Sequence, residues 1–218
     1  MELQERIRAA FEKGTPLRIT GSGTKEFLGP HCEGETVSTL ESTGILSYQP
    51  EELFITAKAA TSLIEIEAAL AEKGQQFPFE PPAFGETATL GGTIACGLSG
   101  PARPYAGAVR DLVLGARVLT GRGEVLRFGG EVMKNVAGYD LSRTLTGSLG
   151  TLALLLDIHL KVLPRAECEL TLSRQTSEAE AIALFNRWAG LPVPLSAACH
   201  VDGHLHVRLS GFEQGVNA

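Results

Sequence analysis

Glycine is concentrated in one central part of this chain, where 14 of its 25 glycines fall between residues 85 and 150. Because glycine has no Cβ and adopts positive φ readily, this density predicts many tight turns and close approaches of the main chain. Any fold proposed for the chain has to account for that segment first.

The stretch Thr87–Ala95 is its most informative part, since threonines flank the pair Gly91-Gly92. Paired glycines let the backbone approach a ring or a phosphate, and the threonine hydroxyls add donors. The run from Thr93 to Cys96 is predicted to begin a short helix whose unpaired N–H groups favour an anion. A cofactor with both phosphate and ring would fit here, and a tight packing turn is the alternative.

Composition limits the classes of function. The 218 residues, 44% of them hydrophobic, can bury a sizeable core in one large domain or two smaller ones. A formal net charge of −6 without a basic run argues against nucleic acid or an anionic membrane as the main partner, so backbone N–H groups would have to hold an anionic ligand. The four cysteines form no C-x-x-C pair, which predicts reduced cytosolic thiols and no metal. We expect no export signal and no membrane span.

The first part of the chain is predicted to contain a helix, a strand and a glycine loop. An amphipathic helix is indicated by apolar residues at four-residue spacing and a glycine C-cap, at Leu3, Ile7, Phe11 and Gly14. A buried strand over 16–20 then runs into Gly21-Ser22-Gly23-Thr24-Lys25, whose successive N–H groups can form an anion nest. The loop matches neither the Rossmann fingerprint nor the Walker A loop, and an ordinary turn is the alternative.

Further along, short β-like runs are predicted over 36–40, 45–48 and 53–57, followed by a helix capped by Ser62 and Glu65. The proline-rich stretch 76–82 is interpreted as the crossing into a second lobe. In that lobe, the loop 97–107 is too long to be a mere connection. Buried or paired strands are predicted over 112–119, 125–128 and 152–162.

From Cys168 onward the pattern predicts strand, helix, strand, strand, the first part of a ferredoxin-like layer whose remaining helix and strand are missing from the sequence. Asp202-Gly203 is predicted to be the two-residue turn of the last hairpin. That register places Cys199, His204 and His206 on one face, where they could form a metal site, and an exposed polar hairpin face explains the same pattern.

Five motifs stand in a fixed order: Gly21–Thr24, Ala88–Ala95, Val109–Gly115, Lys134–Leu141 and Gly147–Thr151. Together they resemble the FAD-binding domain of the vanillyl-alcohol oxidase and p-cresol methylhydroxylase family, over about residues 15 to 165. The resemblance implies an α+β fold: a two-lobed FAD-binding domain over 1–165, with lobes 1–75 and 76–165, and a partial ferredoxin-like β-α-β-β cap over 166–218.

The resemblance also implies that FAD lies between the lobes, with its pyrophosphate on the loop 20–25 and the turn 89–93. The turn 147–151 and the backbone around Ile158 would border the adenine end, and the segment 99–105 would approach the isoalloxazine ring. The cofactor-binding residues implied in this way are Thr20, Gly21, Ser22, Gly23, Thr24, Lys25, Ala88, Thr89, Gly91, Gly92, Thr93, Ala95, Ser99, Arg103, Tyr105, Gly150, Thr151 and Ile158.

The attachment of the flavin can also be predicted from the resemblance. Relatives with covalent flavin often carry a histidine in the first glycine loop and a cysteine in the loop of the second lobe, where this chain has Thr24 and Ser99-Gly100-Pro101. We therefore expect non-covalent FAD. A β-branched residue at Gly92 should weaken FAD binding far more than folding, since it would crowd the ligand and resist positive φ.

The implied function is that of an FAD-binding subunit of an oxidase or dehydrogenase that takes hydride from glycolate or a similar 2-hydroxy acid. The resemblance implies a hetero-oligomer with a second flavoprotein subunit and an iron–sulfur subunit, in the cytoplasm or held by those partners at the inner face of the membrane. No catalytic base can be assigned; Lys134, Tyr105 and Arg103 are the candidates near the ring. With an incomplete cap, we expect these 218 residues to bind flavin but to oxidise glycolate slowly.

Two other functions remain open. A subunit that only holds FAD or relays electrons is the first. The second is a flavin reductase similar to the UDP-N-acetylenolpyruvoylglucosamine reductases, which share the two lobes but which the motifs around Lys134 and Gly138 disfavour.

Overall fold

The computed structural model describes residues 2–29, 32–130 and 141–218. Its helices are Glu2–Lys13 (α1), Leu63–Glu72 (α2), Leu90–Cys96 (α3), Arg103–Ala106 (α4), Val109–Leu112 (α5), Leu141–Leu145 (α6), Glu178–Ala189 (α7) and Glu213–Val216 (α8). Its strands are Leu17–Thr20 (β1), Glu35–Ser38 (β2), Ile45–Gln49 (β3), Phe54–Lys58 (β4), Gln75–Gln76 (β5), Val113–Leu119 (β6), Val125–Gly129 (β7), Leu154–Lys161 (β8), Leu163–Pro164 (β9), Cys168–Gln175 (β10), Leu195–Val201 (β11) and His204–Gly211 (β12). The predicted motif Lys134–Leu141, and with it the candidate base Lys134, lies outside the described residues except for Leu141.

An antiparallel five-stranded sheet, ordered β3-β4-β8-β6-β7, organises the first 165 residues. Strand β4 pairs with β8, with Phe54 opposite Lys161, although the two lie more than a hundred positions apart. The main cluster of buried side chains joins this sheet to α2 and α3 through the fully buried Ile55, Ile66 and Ile94. The sheet takes strands from both sides of residue 75, and the lobe boundary there stays a prediction.

Helix α2 forms where its cap predicts. The Ser62 Oγ accepts the N–H of Glu65 at 3.1 Å, which satisfies one of the first N–H groups of the helix. Leu63, Ile66 and Leu70 are buried on the sheet. Burying each such side chain contributes roughly 1.5–3 kcal/mol, so the apolar face outweighs the cap in holding this helix.

Helix α1 packs on the opposite face of the sheet, where Ile7 joins a small cluster with Val37, Leu119 and Leu154. Phe11, predicted to share this buried face, is 57% exposed. That prediction is wrong because the β6–β7 turn, not the core, meets this end of the helix, and the Arg122 guanidinium carbon lies 5.9 Å from the centroid of the Phe11 ring.

Two local predictions need correction. Strand β1, predicted to be buried, is half-buried, and among the described strands it pairs with β2 alone, in parallel. The strand predicted over 112–119 begins one residue later, at Val113, because Val109–Leu112 form the single helical turn α5. There the Asp111 Oδ2 accepts the N–H of Ala108 at 3.3 Å.

The C-terminal layer has the strand order β10-β12-β11 with α7 on one face, which confirms the predicted first part of a ferredoxin-like unit. The hairpin turns at Asp202 and Gly203, both with positive φ, as a type I′ turn requires. Cys199 lies opposite His206 as predicted. Across the described residues, however, no three His, Cys, Asp or Glu side chains are grouped so that they could hold a metal ion.

Mixed helices and antiparallel sheets confirm the predicted α+β class. None of the helices in the described ranges is long and apolar enough to cross a membrane.

Candidate functional site

Three adjoining hollows of about 160, 90 and 210 Å³ lie between the loop after β1, helix α3 and the turn 149–151. All three share Ile19 and Leu149, and we call them together the glycine cleft. Among the residues predicted to bind the cofactor, those that line it are Thr20, Gly21, Ser22, Gly23, Thr24, Lys25, Thr89, Gly91, Gly92, Ala95, Gly150 and Thr151. The structure thus brings together segments that are separated by as many as 131 positions.

The loop after β1 supplies backbone donors to this cleft. The last hydrogen bond between the backbones that continue β1 and β2 is the one in which the Thr20 carbonyl accepts the N–H of Thr39, at 3.0 Å. From Gly21 to Thr24, no residue in the described part of the chain accepts the backbone N–H groups. Gly23 has a φ of +78°, which turns the loop back on itself. A run of unpaired N–H groups at the surface of a concave loop is suited to an anion such as a phosphate.

Helix α3 corrects the prediction made for its N-terminus. The helix begins at Leu90 rather than after Gly92, with Thr89 as its N-cap. The N–H groups of Leu90 and Gly91 donate to the carbonyls of Thr61 and Ala59, and the N–H of Gly92 donates to the Thr89 Oγ1 at 3.2 Å. The first donors of the helix are therefore already used, so the argument that they await an anion is wrong.

The two glycines of α3 have different neighbours. A Cβ on Gly91 would stand 2.8 Å from the Ala59 Cβ and 2.9 Å from the Ala59 carbonyl oxygen, so Gly91 allows the helix to pack on the end of β4. A Cβ on Gly92 would meet only the Thr89 Oγ1, at 3.2 Å, and otherwise faces the open cleft. Neither has positive φ, so the expectation of left-handed backbone at Gly92 is wrong. Gly92 is the one placed for close approach to a ligand.

Lys25 is the buried cation of the glycine cleft, and Arg18 also lines it. The Lys25 side chain is buried, and its Nζ donates to the Ala83 carbonyl at 3.2 Å. Burial lowers the pKa of Lys25 and raises the pKa of Cys96, which lies beside it and also lines the cleft. A protonated thiol is a weak nucleophile. The rings of Phe27 and Phe84 meet edge to face at 4.9 Å and join the glycine loop to the segment that carries Ala83.

Other predicted residues lie away from this cleft. Ile158 is fully buried in the middle of β8, where it belongs to the main core. Ala88 and Thr93 are buried as well, and the Thr93 hydroxyl has no hydrogen-bond partner among the described residues. The burial of Ile158 agrees with the buried strand predicted over 152–162.

The segment 97–107 lies at a second cavity. The Ser99 Oγ accepts the N–H of Val109 at 3.0 Å, so this hydroxyl is already engaged. Arg103 is exposed at the start of α4. Tyr105 lines the second cavity, and burial raises the pKa of its phenol, which keeps it protonated at neutral pH.

This second cavity, the cap cleft, has a volume of about 620 Å³ and lies between α4, the segment 75–81 and the polar face of the β10-β12-β11 sheet. An ion pair between Glu80 and Arg208 crosses it. Sequence reasoning missed both residues. The alternation of polar and apolar residues along β12 indicates a polar face that includes Arg208, but it does not indicate what that face meets.

Comparison with known proteins gives one family match: the FAD binding domain, over residues 1–129. Glycolate oxidase subunit GlcE of Escherichia coli strain K12 is 51% identical over 216 residues, which cover 99% of this chain and 62% of the relative. Glycolate oxidase subunit GlcD of Bacillus subtilis strain 168 is 31% identical over 185 residues, 84% of this chain and 39% of the relative. The chain thus spans about three fifths or less of the length of these relatives.

The fold is also similar to that of a solved alkyldihydroxyacetonephosphate synthase, with a TM-score of 0.75 at 18% identity. The match covers 99% of this chain and 46% of that chain. At this level of identity the similarity shows a shared fold.

Proposed function

The chain belongs to the FAD binding domain family, and from this premise we propose that it is the FAD-holding subunit of an enzyme that oxidises a 2-hydroxy acid such as glycolate. The observation that carries the proposal is the glycine cleft. There the N–H groups of Gly21 to Thr24 find no acceptor among the described residues, and Gly92 leaves open a space that a side chain would fill.

The residues of the cleft fit FAD. The N–H groups from Gly21 to Thr24 would donate to the pyrophosphate, and the Lys25 ammonium would offset its charge. Gly92 would allow the closest approach of the main chain. When bound, FAD supplies a hydride acceptor, so that the acid loses hydride from its α-carbon and a proton from its hydroxyl to become the 2-oxo acid.

Non-covalent binding is part of the proposal. The glycine loop and the segment 97–107 contain neither histidine nor cysteine. Cys96 adjoins both, but burial raises the pKa of its thiol and keeps it protonated.

The partners and location follow from the similarity to a glycolate oxidase subunit. We infer a hetero-oligomer with a second flavoprotein subunit and an iron–sulfur subunit, on the cytoplasmic side and in contact with the membrane only through those partners. The negative net charge of the chain supports an indirect contact, because an anionic membrane surface repels it.

An electron-relaying or merely FAD-holding role is the second candidate. The lack of a suitable base favours this role. The Ser99 hydroxyl already accepts the N–H of Val109, and burial raises the pKa of Tyr105, so its phenol stays protonated at neutral pH. Neither of these side chains near the expected ring position can readily take the hydroxyl proton.

Anaerobic stopped-flow reduction of the flavin separates these functions. The FAD-loaded chain is mixed with glycolate, D-lactate or NADPH, alone and in its complex. Rapid bleaching of its own flavin by a hydroxy acid is expected for the oxidising subunit. Bleaching that requires the partner's flavin would identify a relay, and bleaching by NADPH alone would contradict both proposals in favour of a reductase.

A further inference from the structure

Leu149 lies where the three hollows of the glycine cleft meet. Among the described residues, it and Ile19 are the two that line all three hollows. The first hollow reaches Lys25, the second Ala59 and the third Arg18. The Leu149 side chain is 43% exposed, so it lies at the mouth of the cleft and not in its floor.

The side chain of Leu149 crosses from one wall of the cleft to the other. Its backbone belongs to the turn 147–151, whereas the opposite wall is the loop that follows β1. A Cβ built on Gly29, at the end of that loop, would lie only 2.8 Å from the Leu149 Cδ1, closer than two such carbon atoms can approach. The leucine therefore packs directly on the bare main chain of Gly29 and bridges the mouth of the cleft.

The backbone of Leu149 holds the side chain in this direction. Its φ of +53° lies in the left-handed region, which is uncommon for a bulky side chain. Two hydrogen bonds to the last turn of α3 fix it: the N–H of Leu149 donates to the Ala95 carbonyl at 2.9 Å, and the N–H of Gly147 donates to the Ile94 carbonyl at 3.0 Å. Strained conformations that the surroundings enforce are concentrated at ligand clamps and switch regions. The backbone is thus fixed, and the side chain is the part that can turn.

The bridging side chain limits what the cleft can hold. Ligand pockets usually have a volume of roughly 300–1,000 Å³, and each of the three hollows is smaller, the largest at about 210 Å³. An extended dinucleotide needs more than one hollow at once, because the loop from Gly21 to Thr24 lines the first and Thr151 lines the third. Rotation of the Leu149 side chain away from Gly29 would join the hollows.

We propose that Leu149 is a gate that competes with FAD for the glycine cleft, and that the cofactor enters only while this side chain is turned away from Gly29. That the ligand is FAD rests on the proposed function. Rotamers of exposed side chains interconvert in picoseconds to nanoseconds, so the gate is not itself a slow step. It reduces the rate of association to the fraction of time that it is open, and the apparent affinity falls by the same factor.

The alternative role of a leucine at this mouth is an apolar contact with the bound cofactor. The two roles have opposite effects when the side chain is shortened. Loss of a gate raises kon and leaves koff unchanged, so the affinity for FAD rises. Loss of a contact raises koff and leaves kon nearly unchanged, so the affinity falls.

Stopped-flow mixing of FAD with the FAD-free chain tests the gate, since the slope of the observed rate against FAD concentration gives kon and the intercept gives koff. We expect Leu149→Ala to raise kon at least about threefold, as for a gate that is closed about two thirds of the time, and to leave koff within about twofold of the wild type. Leu152→Ala is the matched control, because Leu152 is 56% exposed, follows the same turn and lines none of the three hollows. Its kon should equal that of the wild type.

Leu149→Asn is the second variant, because asparagine adopts left-handed backbone more readily than most residues and so shortens the side chain without adding strain. It should also raise kon, and it decides the matter if the alanine variant does not fold. An unchanged or lower kon in a folded variant, or a higher koff with weaker binding, overturns the proposal. A wild-type chain that takes up no FAD contradicts the proposed function. A chain that takes up FAD at a rate that Leu149→Ala does not change contradicts the gate alone.

Discussion

The adjacent glycines of α3 allow a test in which folding and cofactor binding respond in opposite ways. In Gly91→Ala the new methyl group would lie 2.8 Å from the Ala59 Cβ and 2.9 Å from its carbonyl oxygen, and a β-strand end cannot move away cheaply. Overpacking of this kind costs about 1–3 kcal/mol, and the gain of about 1 kcal/mol from replacing glycine in a helix offsets only part of it. We expect a net loss of up to roughly 2 kcal/mol in the free energy of unfolding.

In Gly92→Ala the methyl group meets only the Thr89 Oγ1, at 3.2 Å. The contact is tight, and moving the hydroxyl would weaken the N-cap hydrogen bond that it accepts from the N–H of residue 92. The gain in helix propensity of about 1 kcal/mol offsets that loss, so the chain should stay within about 1 kcal/mol of the stability of the wild type. The same methyl group projects into the glycine cleft, where it would separate FAD from the main chain. FAD affinity should fall by about tenfold or more, and Gly92→Val should lower it further.

Urea denaturation of the FAD-free chains gives the stabilities, and fluorescence titration with FAD gives the affinities. The pattern expected is a destabilised Gly91→Ala chain and a stable Gly92→Ala chain with weak FAD binding. A Gly92→Ala chain with wild-type affinity for FAD would refute the assignment of the glycine cleft to the cofactor, because it would show that this space is not used.

Four further predictions concern the same sites. Acid precipitation should release all of the yellow colour into the supernatant, since FAD is held without a covalent bond; flavin in the pellet would contradict this. Lys25→Met should weaken FAD binding about tenfold and reduce its salt dependence, because a charge-assisted contact is lost; Lys25→Arg, which keeps the charge, is the control, and unchanged salt dependence in the methionine variant would count against the role. Burial lowers the pKa of Lys25, so the ammonium is lost as the pH rises through that lowered pKa. The FAD affinity of the wild type should therefore begin to fall at a pH below the pKa of an ordinary lysine. The methionine variant should not show this fall. Gly100→Ala should lose more than about 3 kcal/mol of stability, from the collision with Glu80 and the positive φ of Gly100; Gly121→Ala, with nothing within 4 Å of the new Cβ, should melt within about two degrees of the wild type.

Elements with a strong local signal could be predicted from the sequence. The capping pair Ser62 and Glu65 predicted the start of α2, and the turn Asp202-Gly203 predicted the register of the last hairpin. The family was recognisable because five short glycine motifs recur in order, and the match over residues 1–129 confirms it. In each case the information lies within a few neighbouring residues, which is the range over which caps and turns act.

What depends on distant neighbours was not predictable. The use of the α3 N–H groups by Thr61 and Ala59 could not be read from the run of threonines and glycines, since those acceptors come from another element. For the same reason the sequence did not distinguish Gly91, which packs on β4, from Gly92, which faces the cleft. The cap cleft was missed because Glu80 and Arg208 lie 128 positions apart.

The pairing of β4 with β8 has a consequence for how the chain is made. Phe54 leaves the ribosome 107 residues before its partner Lys161, which at about 5–20 residues per second is a delay of roughly 5–20 s. During that time β4 is paired with β3 on one side and has an unpaired apolar edge on the other. Such an edge can pair with a strand of a neighbouring nascent chain. The turn at Gly150 that completes the glycine cleft emerges just before β8, so FAD cannot bind early to stabilise the growing chain. Cofactor supply should therefore influence how much protein survives after synthesis and have little effect on how fast the chain first folds.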